Sequence, residues 1–318
     1  MTTAELLQLF EQGRRRCHLV GSESAGVVVG LDLEGRLFTA LHGDVLNRVN
    51  PEALLGTCTR QRYLNPGGDG LWPAPEGSRV GYEYSTGAWR VPPGLSSARF
   101  EVTASGPTSA VVRAEIDLIN AQGLGVPTAF ERHIRLEHAP DALTVHVTEV
   151  IEYLGAGAHP RETLLLAPWT LCQFDCGPGC VARFPDAGTG CVWDLYDPSA
   201  DRRHCQDGVW QAQTAGGPRF QLGLSPAVGY VEFVDPRRGL RVHRTSGALP
   251  AGQAYVDLAD RPPQHEPDGP PIRFSVYSDP SFFMEIEAAG GCPRELTPGC
   301  RLELAVTTAY AREGGYAR

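Results

Sequence analysis

Apolar and polar positions alternate along the middle of the chain. Across residues 128–136, Ile134 and Leu136 fall on one side, while His133 and Arg135 fall on the other. This is the period-two signature of a half-buried strand. The same alternation predicts an antiparallel meander with strands over residues 110–120, 128–136 and 143–153, broken by turns at 123–125 and 139–141. Only the start of the chain shows a helical period, with Leu6, Leu7 and Phe10 on one face of residues 3–12, which predicts a short helix packed on a sheet. The apolar runs 27–33 and 37–41 flank Glu34-Gly35-Arg36 and read as a hairpin. Further strands are expected over 98–104, 163–174, 272–277, 282–287 and 301–310. Two more hairpin regions are expected, one pairing 191–196 with 210–214 and one joining 220–224, 230–233 and 240–245. Pro168 inside an apolar run predicts an edge strand or a bulge there. Residues 260–271 form a polar, proline-rich stretch too long for an ordinary turn, which predicts a cover over a site.

Composition narrows the fold class. The 318 residues include 37 glycines and 26 prolines, scattered in short clusters and not gathered in one tract. Many turns between short strands follow, which favours an all-β chain folded as one large domain over residues 1–318. A net charge of −9 argues against nonspecific attachment to nucleic acid or an anionic membrane. The arginine triplet Arg14 to Arg16 reads as a solvated helix face. Every basic residue is arginine, so a Schiff-base lysine, a pyridoxal anchor and a P-loop are all excluded. Residues 1–13 are acidic and amphipathic, unlike an export signal, and no run approaches the roughly 18 apolar residues of a membrane span. A soluble cytoplasmic protein is expected, and in that compartment thiols stay reduced. Five of the nine cysteines, Cys172, Cys176, Cys180, Cys191 and Cys205, gather near His204. Their Cys-x3-Cys-x3-Cys spacing is not that of a zinc knuckle, so neither a metal nor another cofactor is expected.

Three places carry candidate chemistry. The stretch 65–77 reads as a rigid loop, because paired glycines permit unusual backbone angles and Pro73 and Pro75 fix their own. It presents Asp69, Trp72 and Glu76, two acceptors and a flat indole, which is equipment for holding a sugar ring. Farther on, Phe283, Glu285 and Glu287 share one strand face. Two like charges at that spacing raise one another's pKa, one route to a general acid or base that works near neutrality. His133 lies on a polar strand face of the kind that lines a ligand groove in a curved sheet.

In order along the chain stand Gly-Gly-Asp-x-Leu-Trp-Pro-Ala-Pro-Glu at 67–76, the meander from Phe130 to Val147 and Ala-Pro-Trp-Thr-Leu-Cys-Gln at 167–173. Phe-Met-Glu-Ile-Glu at 283–287 and Leu-Thr-Pro-Gly at 296–299 complete the series. Together they resemble the galactose mutarotase-like superfamily, in particular a subgroup carrying a Gly-Gly-Asp-x-x-Trp-x-Ala-Pro-Glu signature. The resemblance spans residues 25–310. It implies a β-supersandwich of twisted antiparallel sheets with a carbohydrate site on a concave face. Aldose 1-epimerases of that fold take the anomeric proton with a glutamate and protonate the ring oxygen with a histidine. The resemblance places the base at Glu285. The histidine motif is replaced by Ala167-Pro168-Trp169-Thr170, which leaves His133 as the candidate acid, with His159 as another position.

Three functions of different kinds follow. The first is a noncatalytic carbohydrate-binding protein that contacts sugar through Arg62, Asp69, Trp72, Glu76, Trp169 and Glu287. The second is an aldose epimerase or isomerase with Glu285 as base and His133 as acid. The third is a partner- or nucleic-acid-binding protein on a retired enzyme fold, contacting through a local arginine cluster.

Overall fold

The computed structural model describes residues 1–59 and 61–312. Two ten-stranded antiparallel sheets hold most of the chain. The first runs Cys17–Gly21, Ala25–Gly30, Arg36–Leu41, Asp69–Ala74, Ala167–Asp175, Phe283–Ala289, Phe274–Asp279, Phe220–Leu224, Val192–Asp194, with Asp44–Val45 paired on the side of Arg36–Leu41. The second runs Arg203–Gln206, Val209–Gln213, Val181–Pro185, Val231–Asp235, Leu240–Ser246, Arg301–Arg312, Ala142–Tyr153, Gly125–Ala139, Ser109–Ile119, Glu101–Gly106. Their inner faces meet in one apolar core. There Phe174 of the first sheet stacks on Phe233 of the second, with ring centroids 4.9 Å apart. This is the expected all-β sandwich.

The N-terminal helix Thr3–Gln12 begins with a capping box in which Thr2 and Glu5 satisfy each other's backbone N–H. Leu6 and Phe10 then pack against Val28 and Phe38, on the outer side of the first hairpin. The meander forms as expected, because each strand keeps its apolar residues on one side.

Pairing differs from expectation where the chain changes sheet. Val192–Asp194 and Phe220–Leu224 pair with each other in the first sheet, whereas Val209–Gln213, Val231–Asp235 and Leu240–Ser246 belong to the second. Short strands of similar composition carry no local mark of the sheet they join. The stretch at 65–77 is not a surface loop, because Asp69–Ala74 is a central strand between Arg36–Leu41 and Ala167–Asp175. Pro168 lies neither at an edge nor in a bulge. It sits opposite Pro73 in the register, so neither residue asks its neighbour for an N–H partner it cannot supply.

Candidate functional site

Alternation decides which side chains leave the first sheet outward, away from its partner sheet. On Ala167–Asp175, Thr170, Cys172 and Phe174 point into the core, and Trp169, Leu171 and Gln173 point out. On Phe283–Ala289, Phe283, Glu285 and Glu287 point out together. The register sets Gln173 opposite Glu285 and Leu171 opposite Glu287 on one side, and Tyr277 opposite Glu285 and Ser275 opposite Glu287 on the other. Gln221 comes next, opposite Tyr277. Trp72 lies opposite Trp169, their rings edge to face with centroids 6.1 Å apart. Connecting segments add Tyr63, Glu76, Trp89, Tyr196, Arg219 and Asp260 around the mouth. The cavity has a volume of about 530 Å³, the size of a small-molecule site.

Its polar groups form a connected floor. Gln173 Nε2 donates to Glu285 Oε1 at 2.6 Å, and Trp169 Nε1 donates to Glu287 Oε2 at 2.9 Å. Gln221 Nε2 donates to Ser275 Oγ at 3.0 Å and lies 3.3 Å from both Glu287 oxygens. At the mouth, Glu76 Oε1 accepts from Trp89 Nε1 at 2.8 Å and Oε2 from Tyr196 Oη at 3.4 Å. The Arg219 guanidinium lies over the Tyr196 ring, 4.1 Å from its centroid.

Burial governs the protonation of these acids. Removal from water drives Glu285 upward, opposed by the Arg36 charge and by hydrogen bonds from Glu287 and Gln173. Glu287 is raised further, first by burial and then by repulsion from Glu285. Both carboxyls are therefore biased toward the neutral form, Glu287 more strongly than Glu285. Mutual repulsion was the expected cause; burial is the larger one. Glu76 is pushed up to about 8 by burial and by the nearby Asp260, against the Trp89 hydrogen bond that lowers it.

Of the residues singled out in the sequence, Trp72, Glu76, Trp169, Glu285 and Glu287 line this one cavity. Four others do not. Asp69 is three residues from Trp72 in the same strand, so it points the opposite way, into the space between the sheets, where Arg244 binds it at 2.8 Å. Arg62 is exposed and pairs with Glu52 at 2.8 Å. His133 lies on the outward face of the second sheet, paired with Glu131 at 2.9 Å and 41% exposed. Its strand alternates as expected, but the polar side faces away from the first sheet and its cavity. His159 packs by the ring of Tyr153 and is also outside the cavity. No histidine is among the residues that line it.

Gln173, Gln221, Tyr196, Arg219 and Tyr277 were not singled out from the sequence. Gln173 was legible, since it shares parity with Trp169 inside an otherwise apolar strand. Gln221 carried the same signal between Phe220 and Leu222. Tyr196 and Arg219 stand next to strands without a pattern of their own. The predicted cover at 260–271 contributes Asp260 to the cavity wall. It also hydrogen bonds along the 78–79 segment, from Ser78 N to Arg261 O at 2.8 Å and from Arg79 N to His265 O at 2.9 Å. All nine cysteines are free thiols, and among the described residues no group of three or more acidic, cysteine or histidine side chains is placed to hold a metal.

Comparison with known proteins assigns the architecture. No family profile and no curated protein sequence matches the chain. Solved structures do. A protein from Synechocystis sp. PCC 6803 superposes with a TM-score of 0.58 at 14% identity, over 94% of this chain and 96% of that one. A galactose mutarotase-like protein from Lactobacillus casei gives 0.54 at 9% identity, over 93% and 100% of the two chains. Another from Clostridium acetobutylicum gives 0.54 at 10% identity, over 94% and 96%. The chain has the galactose mutarotase-like fold. At these identities the likeness is one of architecture. No helix among the described residues is long and apolar enough to cross a membrane.

Proposed function

We propose that the chain is a carbohydrate-binding protein and that the cavity of its first sheet takes a saccharide ring. One observation carries this reading: a set of buried polar atoms there has no partner within the protein. They are Trp72 Nε1, Gln173 Oε1, Gln221 Oε1 and, beside the Trp72 ring, Arg36 Nη1. A buried donor or acceptor left alone costs about 1–3 kcal/mol, so each calls for an occupant that satisfies it. Sugar hydroxyls both donate and accept, and the apolar C–H face of a pyranose matches an indole. Trp72, Trp169 and Trp89 supply indoles beside those atoms.

A second reading has specific support. Glu285 shares a strand face with Glu287, which burial biases toward the neutral form, and Glu76 keeps its proton to about 8 in the same cavity. In an epimerase, Glu285 would take the proton of the anomeric hydroxyl while the Glu76 carboxyl gives one to the ring oxygen. The ring would open, rotate and reclose, with both protons returned. Glu76 takes here the role that His133 cannot fill from the other sheet.

Anomer exchange of glucose and galactose followed by NMR separates the two readings. Binding without chemistry predicts exchange at the uncatalysed rate, together with sugar-induced thermal stabilisation that is lost in Trp72→Ala and partly kept in Trp72→Phe. Catalysis predicts accelerated exchange that Glu285→Gln abolishes. Absence of any thermal shift across a panel of neutral sugars would remove the saccharide assignment altogether.

A further inference from the structure

Tyr63 and Trp89 wall the sugar cavity on one side. These two residues also wall an adjoining cavity of 130 Å³, which shares Cys58, Thr59, Arg90 and Ser96 with a groove of 590 Å³ beyond it. The two ends have opposite electrostatic character. Glu76, Asp260, Asp279, Glu285 and Glu287 face the cavity, with Arg219 as the arginine there. Arg14, Arg15, Arg90 and Arg99 face the groove.

The groove's own acids do not cancel those arginines. Asp32 is taken by Arg16 at 2.8 Å, and Glu34 by the fully buried Arg36 at 2.8 Å. Arg15 spends its guanidinium on the carbonyls of Leu54, Asp32 and Gly56. Among the described residues, Arg14, Arg90 and Arg99 make no salt bridge, and of the three Arg99 lies within the electrostatic reach of Asp32, which Arg16 already holds. The triplet expected to be a solvated helix face instead follows the helix's C-cap Gly13 and edges this groove. Unpaired arginines clustered on a chain of net charge −9 form a local field that attracts anions. The partition between the two ends is itself polar: Tyr63 Oη, from the cavity wall, lies 3.1 Å from both Glu34 Oε2 and Arg36 Nη2, while Arg36 Nη1 is unpartnered.

We propose that the ligand is an acidic oligosaccharide, with a neutral terminal ring in the carboxyl-lined cavity and anionic substituents on a following sugar held by Arg90 and Arg99. This inference rests on the saccharide reading of the cavity and extends it. The intervening cavity sets the separation: the anion belongs beyond the first ring, since on that ring it would meet the carboxyls.

Isothermal titration calorimetry with four probes tests it: glucose, glucose 6-phosphate, maltotriose and maltotriose oxidised at the hydroxymethyl groups of its two non-terminal-site rings to uronates. The acidic trisaccharide is expected to bind about tenfold tighter than maltotriose in low salt, with the advantage removed by raised ionic strength. Arg90→Gln combined with Arg99→Gln is expected to raise its Kd about tenfold and leave that of maltotriose unchanged. Glucose 6-phosphate is expected to bind no tighter than glucose.

Equal affinity of the two trisaccharides, or an acidic-ligand Kd indifferent to both arginines, overturns the inference while leaving the sugar cavity intact. Glucose 6-phosphate gaining as much as the acidic trisaccharide overturns the separation of ring and anion. Failure of all four probes to bind overturns the saccharide reading itself. Retention of a single-stranded oligonucleotide in low salt, without retention of the acidic trisaccharide, overturns the inference in favour of a nucleic-acid surface.

Discussion

Two of the regions of this molecule that bury carboxylates treat them differently. Between the sheets each has an arginine. Arg244 binds Asp69 at 2.8 and 3.3 Å and also Thr308 and Thr170. Arg132 holds Glu149 through contacts of 2.6–3.2 Å and gives its remaining nitrogen to the carbonyls of Gly35 and Asp69, at 2.8 and 2.7 Å. In the outward cavity, Glu285 and Glu287 are matched mainly by amides, an indole and each other. Charge that is fully compensated inside the protein cements the two layers, whereas charge left short of partners is available to something that arrives from outside.

Removing a cation from the inter-sheet region gives the largest expected effect. Arg132→Ala and Arg244→Ala each strand a buried acid and are expected to cost about 3–5 kcal/mol in denaturant unfolding. Glu287→Gln keeps the shape and removes a group that prefers to be neutral, so its change should stay within about 1 kcal/mol of the parent. Equal losses in the three variants would erase the distinction between the regions.

The pH dependence comes next. Glu76 in the folded chain keeps its proton to about 8, whereas the unfolded chain releases it near the ordinary value of 4.5. The folded state thus binds more protons between those values, and this group's contribution to stability falls as pH rises through that window. Thermal melts at stepped pH should show that decline, and Glu76→Gln should flatten it. A decline of unchanged slope in the variant would assign it to other groups.

His133→Ala gives the smallest expected effect, within about 0.5 kcal/mol in unfolding, with sugar-induced thermal shifts unchanged. Loss of sugar binding in this variant would mean that the second sheet's outward face belongs to the site.

The alternation that placed Glu285, Glu287 and Phe283 together was legible because parity along one strand is a local property. The same rule separates Asp69 from Trp72, which a loop reading of residues 65–77 concealed; three positions apart in a strand means opposite faces. For His133 the parity was legible but not the destination. Which side of a half-polar strand faces a ligand depends on how two sheets are stacked, and that depends on contacts hundreds of residues apart. The strands after residue 190 were legible as strands, yet their allocation between sheets was not, for the same reason. Gln173 and Gln221 show a further limit, since parity marks a lone amide in an apolar strand but only the register reveals the two acids beside it.

The facing prolines Pro73 and Pro168 lie one step along the ladder from the facing indoles Trp72 and Trp169. Neither proline can donate a backbone hydrogen bond, but Pro168 turns its backbone away from Pro73 and accepts from Gly290 N at 2.8 Å, so no ladder bond between these two strands is lost at that step. The facing indoles therefore stand on a ladder that the prolines leave intact, and the width of that aromatic wall is set by the sheet behind it.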